Sequence, residues 1–146
     1  MKSIRFAATG GPDVLRLADV DLPPPGPGEI RIRHTAIGIN FIDTYHRSGL
    51  YPVKLPSGLG MEAAGIVEAL GEGAAAFKPG DRVAYASGPI GAYAEAANVP
   101  AARAVAVPDA IPDDIAASIL LKGMTAEFLL RRTYPLKAGE TILFHA

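Results

Sequence analysis

Apolar and polar residues alternate with a period of two near the start of the chain. Ile4, Phe6 and Ala8 alternate with Ser3, Arg5 and Ala7, and Ile30, Ile32, His34 and Ala36 alternate with Arg31, Arg33 and Thr35. This is the pattern of half-buried β-strands. Between them Pro23-Pro24-Pro25-Gly26-Pro27-Gly28 can neither donate to a ladder nor continue a helix, so it reads as a surface connection. The period changes at 40–48, where Phe41, Tyr45 and Ser48 fall at helical spacing and Gly49 is placed to stop a short helix. Further strands are predicted over 62–70, 82–86, 92–99 and 103–107, separated by Gly- and Pro-rich turns. Many short strands spaced by such turns favour a barrel or sandwich.

Beyond Pro112 the β pattern ends. Asp113 and Asp114 suit the first turn of a helix whose apolar face carries Ile115, Ile119 and Leu120. A second helix is expected after Gly123, with Met124, Phe128 and Leu129 apolar and Arg131-Arg132 at its C-terminal end. Residues 135–140 then turn the chain into Thr-Ile-Leu-Phe at 141–144. That continuous apolar run suits the first strand of a parallel sheet buried on both faces.

Composition narrows the class. At 146 residues the chain fits one domain with a core of its own, and 49% hydrophobic with 20% charged residues is ordinary for a soluble protein. Fourteen basic against fifteen acidic residues give no electrostatic pull toward nucleic acid. No apolar run approaches the roughly 20 residues that span a bilayer, and the start lacks a signal-peptide core. A cytoplasmic location without membrane attachment is therefore expected. With no cysteine there are no disulfides or thiolate metal sites, and His34, His46 and His145 lack ligand-like spacing.

Six segments occur in order along nearly the whole chain: Gly11-Pro12-Asp13-Val14-Leu15, Gly38-Ile39-Asn40-Phe41-Ile42-Asp43, Gly60-Met61-Glu62-Ala63-Ala64-Gly65, Lys78-Pro79-Gly80-Asp81-Arg82-Val83, Gly91-Ala92-Tyr93-Ala94-Glu95 and Lys122-Gly123-Met124-Thr125-Ala126. Together they resemble the zinc-independent quinone oxidoreductase, or zeta-crystallin-like, branch of the medium-chain dehydrogenase/reductase superfamily. The resemblance implies a mainly β fold with a few helices: a GroES-like, partly open barrel ending in two helices and the first strand of a Rossmann domain. Residues 1–110 would be the catalytic, substrate-binding domain, and 111–146 the connecting helices and first strand of a truncated nucleotide-binding domain. The Gly-rich turn that would follow is absent, so the chain alone is expected to be inactive and to bind NADPH weakly or not at all. The homodimer contact of the full-length protein would lie in the missing domain.

The resemblance further implies an NADPH-dependent hydride transfer to a small-molecule quinone, without metal. The zinc-dependent branch has cysteine at the position of Asn40 and histidine at that of Met61, and neither residue present here is a good zinc ligand. Asn40, Asp43, Tyr45 and Tyr51 are the candidate catalytic residues. Asn40, Phe41, Asp43, Tyr45, Thr125 and Phe128 are the candidate cofactor contacts. Amide and carboxylate can hydrogen-bond the carboxamide or hydroxyls of a dinucleotide, and the rings offer flat apolar surface. All but Asp43 also have a plainer reading: Asn40 as a helix cap, Phe41, Tyr45 and Phe128 as core, Tyr51 as a packing residue in a loop, Thr125 as a cap after Gly123. Glu62 fits either a site neighbour or a structural hydrogen-bond partner. His46 is expected to project into solvent. An enone or alkenal reductase would share the cleft and differ in acceptor, and a non-enzymatic GroES-like binding or structural module is the alternative of a different class.

Overall fold

The computed structural model describes residues 1–145. Eight strands and two α-helices follow one another: β1 (Lys2–Phe6), β2 (Arg16–Asp19), β3 (Glu29–Gly38), α1 (Phe41–Ser48), β4 (Ser57–Gly58), β5 (Glu62–Leu70), β6 (Arg82–Ala86), β7 (Ala96–Pro100), β8 (Ala104–Ala106) and α2 (Asp113–Glu127). They form a three-stranded antiparallel sheet in the order β2-β1-β4 and a five-stranded antiparallel sheet in the order β7-β3-β5-β6-β8. An isolated bridge between Ser3 and Ala94, just ahead of β7, ties β1 to the segment that the His34 N–H holds through Glu95 O, the partial closure expected of an open barrel.

The period-two rule sorts the side chains of the larger sheet between two cores. Ile30, Ile32, Ala63, Val67, Val83, Tyr85 and Val99 pack inside the barrel. One residue along, Ala64 and Ala84 turn to the opposite face and pack with Val107, Ala116 and Ala117, so that α2 covers the outside of the sheet. Strand β5 is therefore buried on both faces over most of its length. Two register shifts in the β3–β5 pairing leave one extra residue on each strand, Glu68 on β5 and Thr35 on β3, in the manner of β-bulges that help the sheet to curl.

Helix α2 approaches this sheet very closely. A Cβ on Gly38 would collide with the carbonyl oxygen of Ala117 and lie 2.8 Å from Glu62 Oε2. Glycine at 38 and alanines at 116 and 117 are thus what bring the middle of α2 onto the end of β3 and the start of β5. The N-terminal turn of α2 is tied down by Asp113, which accepts from the Thr35 hydroxyl at 2.5 Å and from Arg82 Nη2 at 2.5 Å.

Several expectations need correction. Strands β2 and β4 were not legible, because β2 is mostly exposed and β4 has only two residues. The strand predicted over 92–99 begins only at Ala96, and the one over 103–107 is confined to Ala104–Ala106. In β1 it is Ser3 and Phe6 that are buried, while Ile4 is half-buried and Ala8 exposed. The two expected C-terminal helices are one: α2 runs through Gly123 and passes into a π-helical turn, Phe128–Thr133. Its buried residues are Ala116 and Ala117, whereas Ile115 and Ile119 are exposed, because only small side chains fit at the closest approach. Residues 141–144 carry no strand pairing among the described residues.

Candidate functional site

The site is assembled at the junction of β3, α1, β5 and α2. Gly38 ends β3, and Asn40, extended at φ −128° and ψ 148°, begins α1. Its backbone N–H donates to Asp43 Oδ2 at 3.0 Å, the carboxylate half of a capping box. At the other end Gly49, at φ 87°, closes the helix, its N–H donating to the Tyr45 and His46 carbonyls while the Tyr51 N–H reaches back to Tyr45 O at 3.1 Å. This closure folds Tyr51 against the helix, with its ring centroid 5.3 Å from that of Tyr45 and 6.2 Å from that of His46. Tyr45 in turn meets Phe41 edge-on at 5.5 Å.

With its backbone thus engaged, the Asn40 side chain is directed elsewhere. Its amide nitrogen donates to Glu62 Oε2 at 2.8 Å and its amide oxygen accepts from Lys122 Nζ at 2.7 Å. Glu62 is fully buried, and its Oε1 accepts the backbone N–H of Leu121 at 2.8 Å. Lys122 Nζ stands 3.5 Å from Glu62 Oε2. A carboxylate below and an ammonium beside it fix which way the Asn40 amide faces, since the flipped amide would set oxygen against carboxylate and NH2 against ammonium.

Asp43 is a second buried carboxylate. Its Oδ2 also accepts from the Tyr93 hydroxyl at 2.8 Å, and burial, then the hydrogen bond and charge of Asp43, push the Tyr93 phenol upward from its ordinary value near 10.0. Asp43 Oδ1 is buried without a partner, as is His46 Nδ1. His46 therefore does not project into solvent: it is buried on the inner side of α1 beside Tyr51. A second histidine, His34, is locked on both nitrogens, Nδ1 with Ala94 O at 2.7 Å and Nε2 with the Tyr85 hydroxyl at 3.1 Å. Burial lowers its pKa, opposed by the carbonyls of Ala94 and Ala92.

Of the residues singled out beforehand, Asn40, Phe41, Asp43, Tyr45 and Tyr51 come together on and beside α1. Asn40 and Asp43 are buried, while Phe41 is 75% exposed and Tyr51 48% exposed. Phe41 is thus not core. Thr125 lies on α2 three residues beyond Lys122, but its hydroxyl is engaged with Leu121 O at 2.9 Å. Phe128 lies just past the end of α2 and is exposed. Lys122 and Tyr93 were missed, although both lie in the motifs quoted above. Tyr93 packs over Gly60, where at φ +92° a Cβ would run into its ring, a contact that spacing along the chain does not reveal.

Flat aromatic surface on α1 and an amide fixed at its start are the kinds of group that can meet a nicotinamide ring and its carboxamide. Ile39 and Leu50, which flank α1 in the chain, are also exposed. Among the described residues, no three His, Asp or Glu side chains are grouped as a metal ion would require.

A curled antiparallel sheet carrying a capped short helix, whose buried cap amide is fixed between a glutamate and a lysine, defines the class. Residues 26–109 match the alcohol dehydrogenase GroES-like domain, and the chain belongs to that family. It is 58% identical over 146 residues to a quinone oxidoreductase of Pseudomonas aeruginosa, covering 99% of this chain and 45% of that protein. It is 44% identical over 143 residues to a 2-haloacrylate reductase of a Burkholderia species, covering 94% and 43% respectively. The structure of the Escherichia coli quinone oxidoreductase complexed with NADPH superposes with a TM-score of 0.92 at 49% identity, over 94% of this chain and 42% of that one. The chain thus spans less than half the length of the relatives it matches.

Proposed function

We propose that the protein of which this chain forms part is an NADPH-dependent quinone oxidoreductase, and that residues 1–110 are its substrate-binding domain, with 111–146 leading into a nucleotide-binding domain. The observation that carries this reading is the buried Asn40 amide, held in one orientation between Glu62 and Lys122 at the start of α1. NADPH bound there would supply the hydride, and the chain's own part is positioning. Phe41, Tyr45 and Tyr51 offer flat apolar surface, and Tyr51, half exposed at the mouth, can donate to the oxygen of an entering quinone. Asn40 keeps one amide N–H beyond the one given to Glu62. Asp43 shapes the site by anchoring the start of α1 and the Tyr93 hydroxyl. Thr125 and Phe128 stand at the side where α2 leaves the sheet and complete the proposed cofactor contacts.

The names of the relatives support quinone as acceptor, and a 2-haloacrylate reductase among them favours a second reading, reduction of an activated double bond. Both acceptors gain a hydride and leave an oxyanion, so they share the same cleft. Purified full gene product is expected to oxidise NADPH in the presence of 1,4-benzoquinone faster than with methyl vinyl ketone. The reverse order would assign it to the enone class. Failure with both would leave a binding module. A homodimer and a cytoplasmic location belong to the same proposal; no helix among the described residues is long and apolar enough to cross a membrane.

A further inference from the structure

Lys122 is the cation of the site, and its geometry differs from that of a lysine serving to neutralise a buried carboxylate. The fully buried Glu62 already receives two donors at 2.8 Å, the Asn40 amide and the Leu121 N–H. The Lys122 ammonium stands 3.5 Å from Glu62, long for a charge-assisted hydrogen bond, which is about 2.7–2.9 Å. Its short contact, 2.7 Å, is to the neutral Asn40 oxygen. An ammonium has three donors. The Lys122 side chain is 54% exposed while its carboxylate partner is 0% exposed, so the ammonium is the more accessible end of the pair. A flexible side chain that would ordinarily point into water is pinned beside the Asn40 amide, with donor capacity to spare.

We propose that Lys122 is a catalytic residue: anchored by Asn40, its ammonium donates to the acceptor oxygen that becomes negative during reduction. The proposal rests on the reading of this site as a reductase cleft. A hydride adds to the acceptor with an electron pair drawn from the reduced nicotinamide, which is thereby oxidised. The acceptor becomes a monoanion whose charge sits on oxygen, and a solvent proton then gives the hydroquinone or, from an enone, the saturated ketone. A fixed cation aimed where charge develops stabilises that anion more than the neutral acceptor, which is the condition for accelerating the step rather than merely tightening binding. Glu62 acts through Asn40 and the α2 backbone and is a positioning residue.

The test compares two probes on the full gene product, the anion 4-nitrophenolate and neutral nitrobenzene, titrated by absorbance into the wild type, Lys122→Met, Lys122→Arg and, as a control remote from the site, Lys78→Met. The expected result is that Lys122→Met weakens 4-nitrophenolate about 10-fold or more and leaves nitrobenzene unchanged. Lys122→Arg should restore most of the loss, and Lys78→Met should match the wild type. Equal weakening of both probes, no weakening of either, or a wild type that does not bind the phenolate would overturn the proposal. Turnover reads the same residue separately: kcat with 1,4-benzoquinone should fall about 10- to 100-fold in Lys122→Met with KM for NADPH little changed. Absence of quinone-dependent NADPH oxidation in the wild type would defeat the functional reading and the catalytic role with it, whereas undiminished turnover in Lys122→Met beside an active wild type would overturn the Lys122 proposal alone.

Discussion

Glu62 shows how a single side chain can hold several elements together. It has no exposed surface, and it accepts from α1's cap residue through the Asn40 amide and from α2 through the Leu121 N–H. Removing it strands both donors in a buried setting. Glu62→Ala is therefore expected to lower the unfolding free energy by about 3 kcal/mol, measured by urea denaturation. Glu62→Gln retains an acceptor and should lose less. His34 offers a test by pH. Its folded pKa lies below the ordinary value of 6.5, since burial disfavours the charged ring and protonation would break the acceptor role of Nε2 toward Tyr85. The unfolded chain takes up the proton as pH falls through 6.5 while the native state does not. Stability is thus complete above that value and declines below it until the folded pKa is reached. The urea midpoint should fall between pH 7.5 and 5.5, and this fall should be smaller in His34→Gln. A midpoint equally pH-dependent in both proteins would remove His34 as its source.

At the scale of elements, the seating of α2 decides whether the site exists, because Leu121 and Lys122 reach Glu62 and Asn40 only from that helix. Gly38→Ala would drive a methyl group toward the Ala117 carbonyl and lift the helix. The expected cost is about 1–3 kcal/mol, together with faster amide exchange at Leu121; unchanged exchange there would show that the close approach is not what seats the helix. Much of this level was legible beforehand. The bounds of β5 and β6 follow from apolar runs between Gly-rich turns, and α1 from its periodicity and Gly49. The continuity of α2 was not legible, since a glycine inside a helix costs only about 1 kcal/mol and the environment of Gly123 contains no clash to break it. Asn40 and Asp43 could be named from the motif that carries them. Lys122 could not be given a role in the same way, because its contact with Asn40 spans 82 residues of chain and depends on the register of α2 against the sheet. The burial of His46 was missed for a related reason: the polar spacing of α1 does not reveal that Tyr51 folds back over it.

For the whole molecule, the uneven distribution of apolar surface is the leading feature. Ile115, Ile119 and Met124 line a groove of about 540 Å3 between α2 and β8, and Phe128, Leu129, Leu143 and Phe144 are also exposed. Residues 1–146 expressed alone should self-associate through this surface, and Ile119→Glu should shift sedimentation toward monomer. A wild-type fragment that stays monomeric at high concentration would contradict this. The central claim is that the Asn40 cleft is where reduction takes place. It is tested most directly by steady-state oxidation of NADPH with 1,4-benzoquinone, comparing the wild-type full gene product with Asn40→Ala. The account predicts saturable, quinone-dependent turnover in the wild type and a loss of at least about 10-fold in kcat/KM in a variant that remains folded. Undiminished turnover in folded Asn40→Ala, or no quinone-dependent oxidation in the wild type, would contradict it.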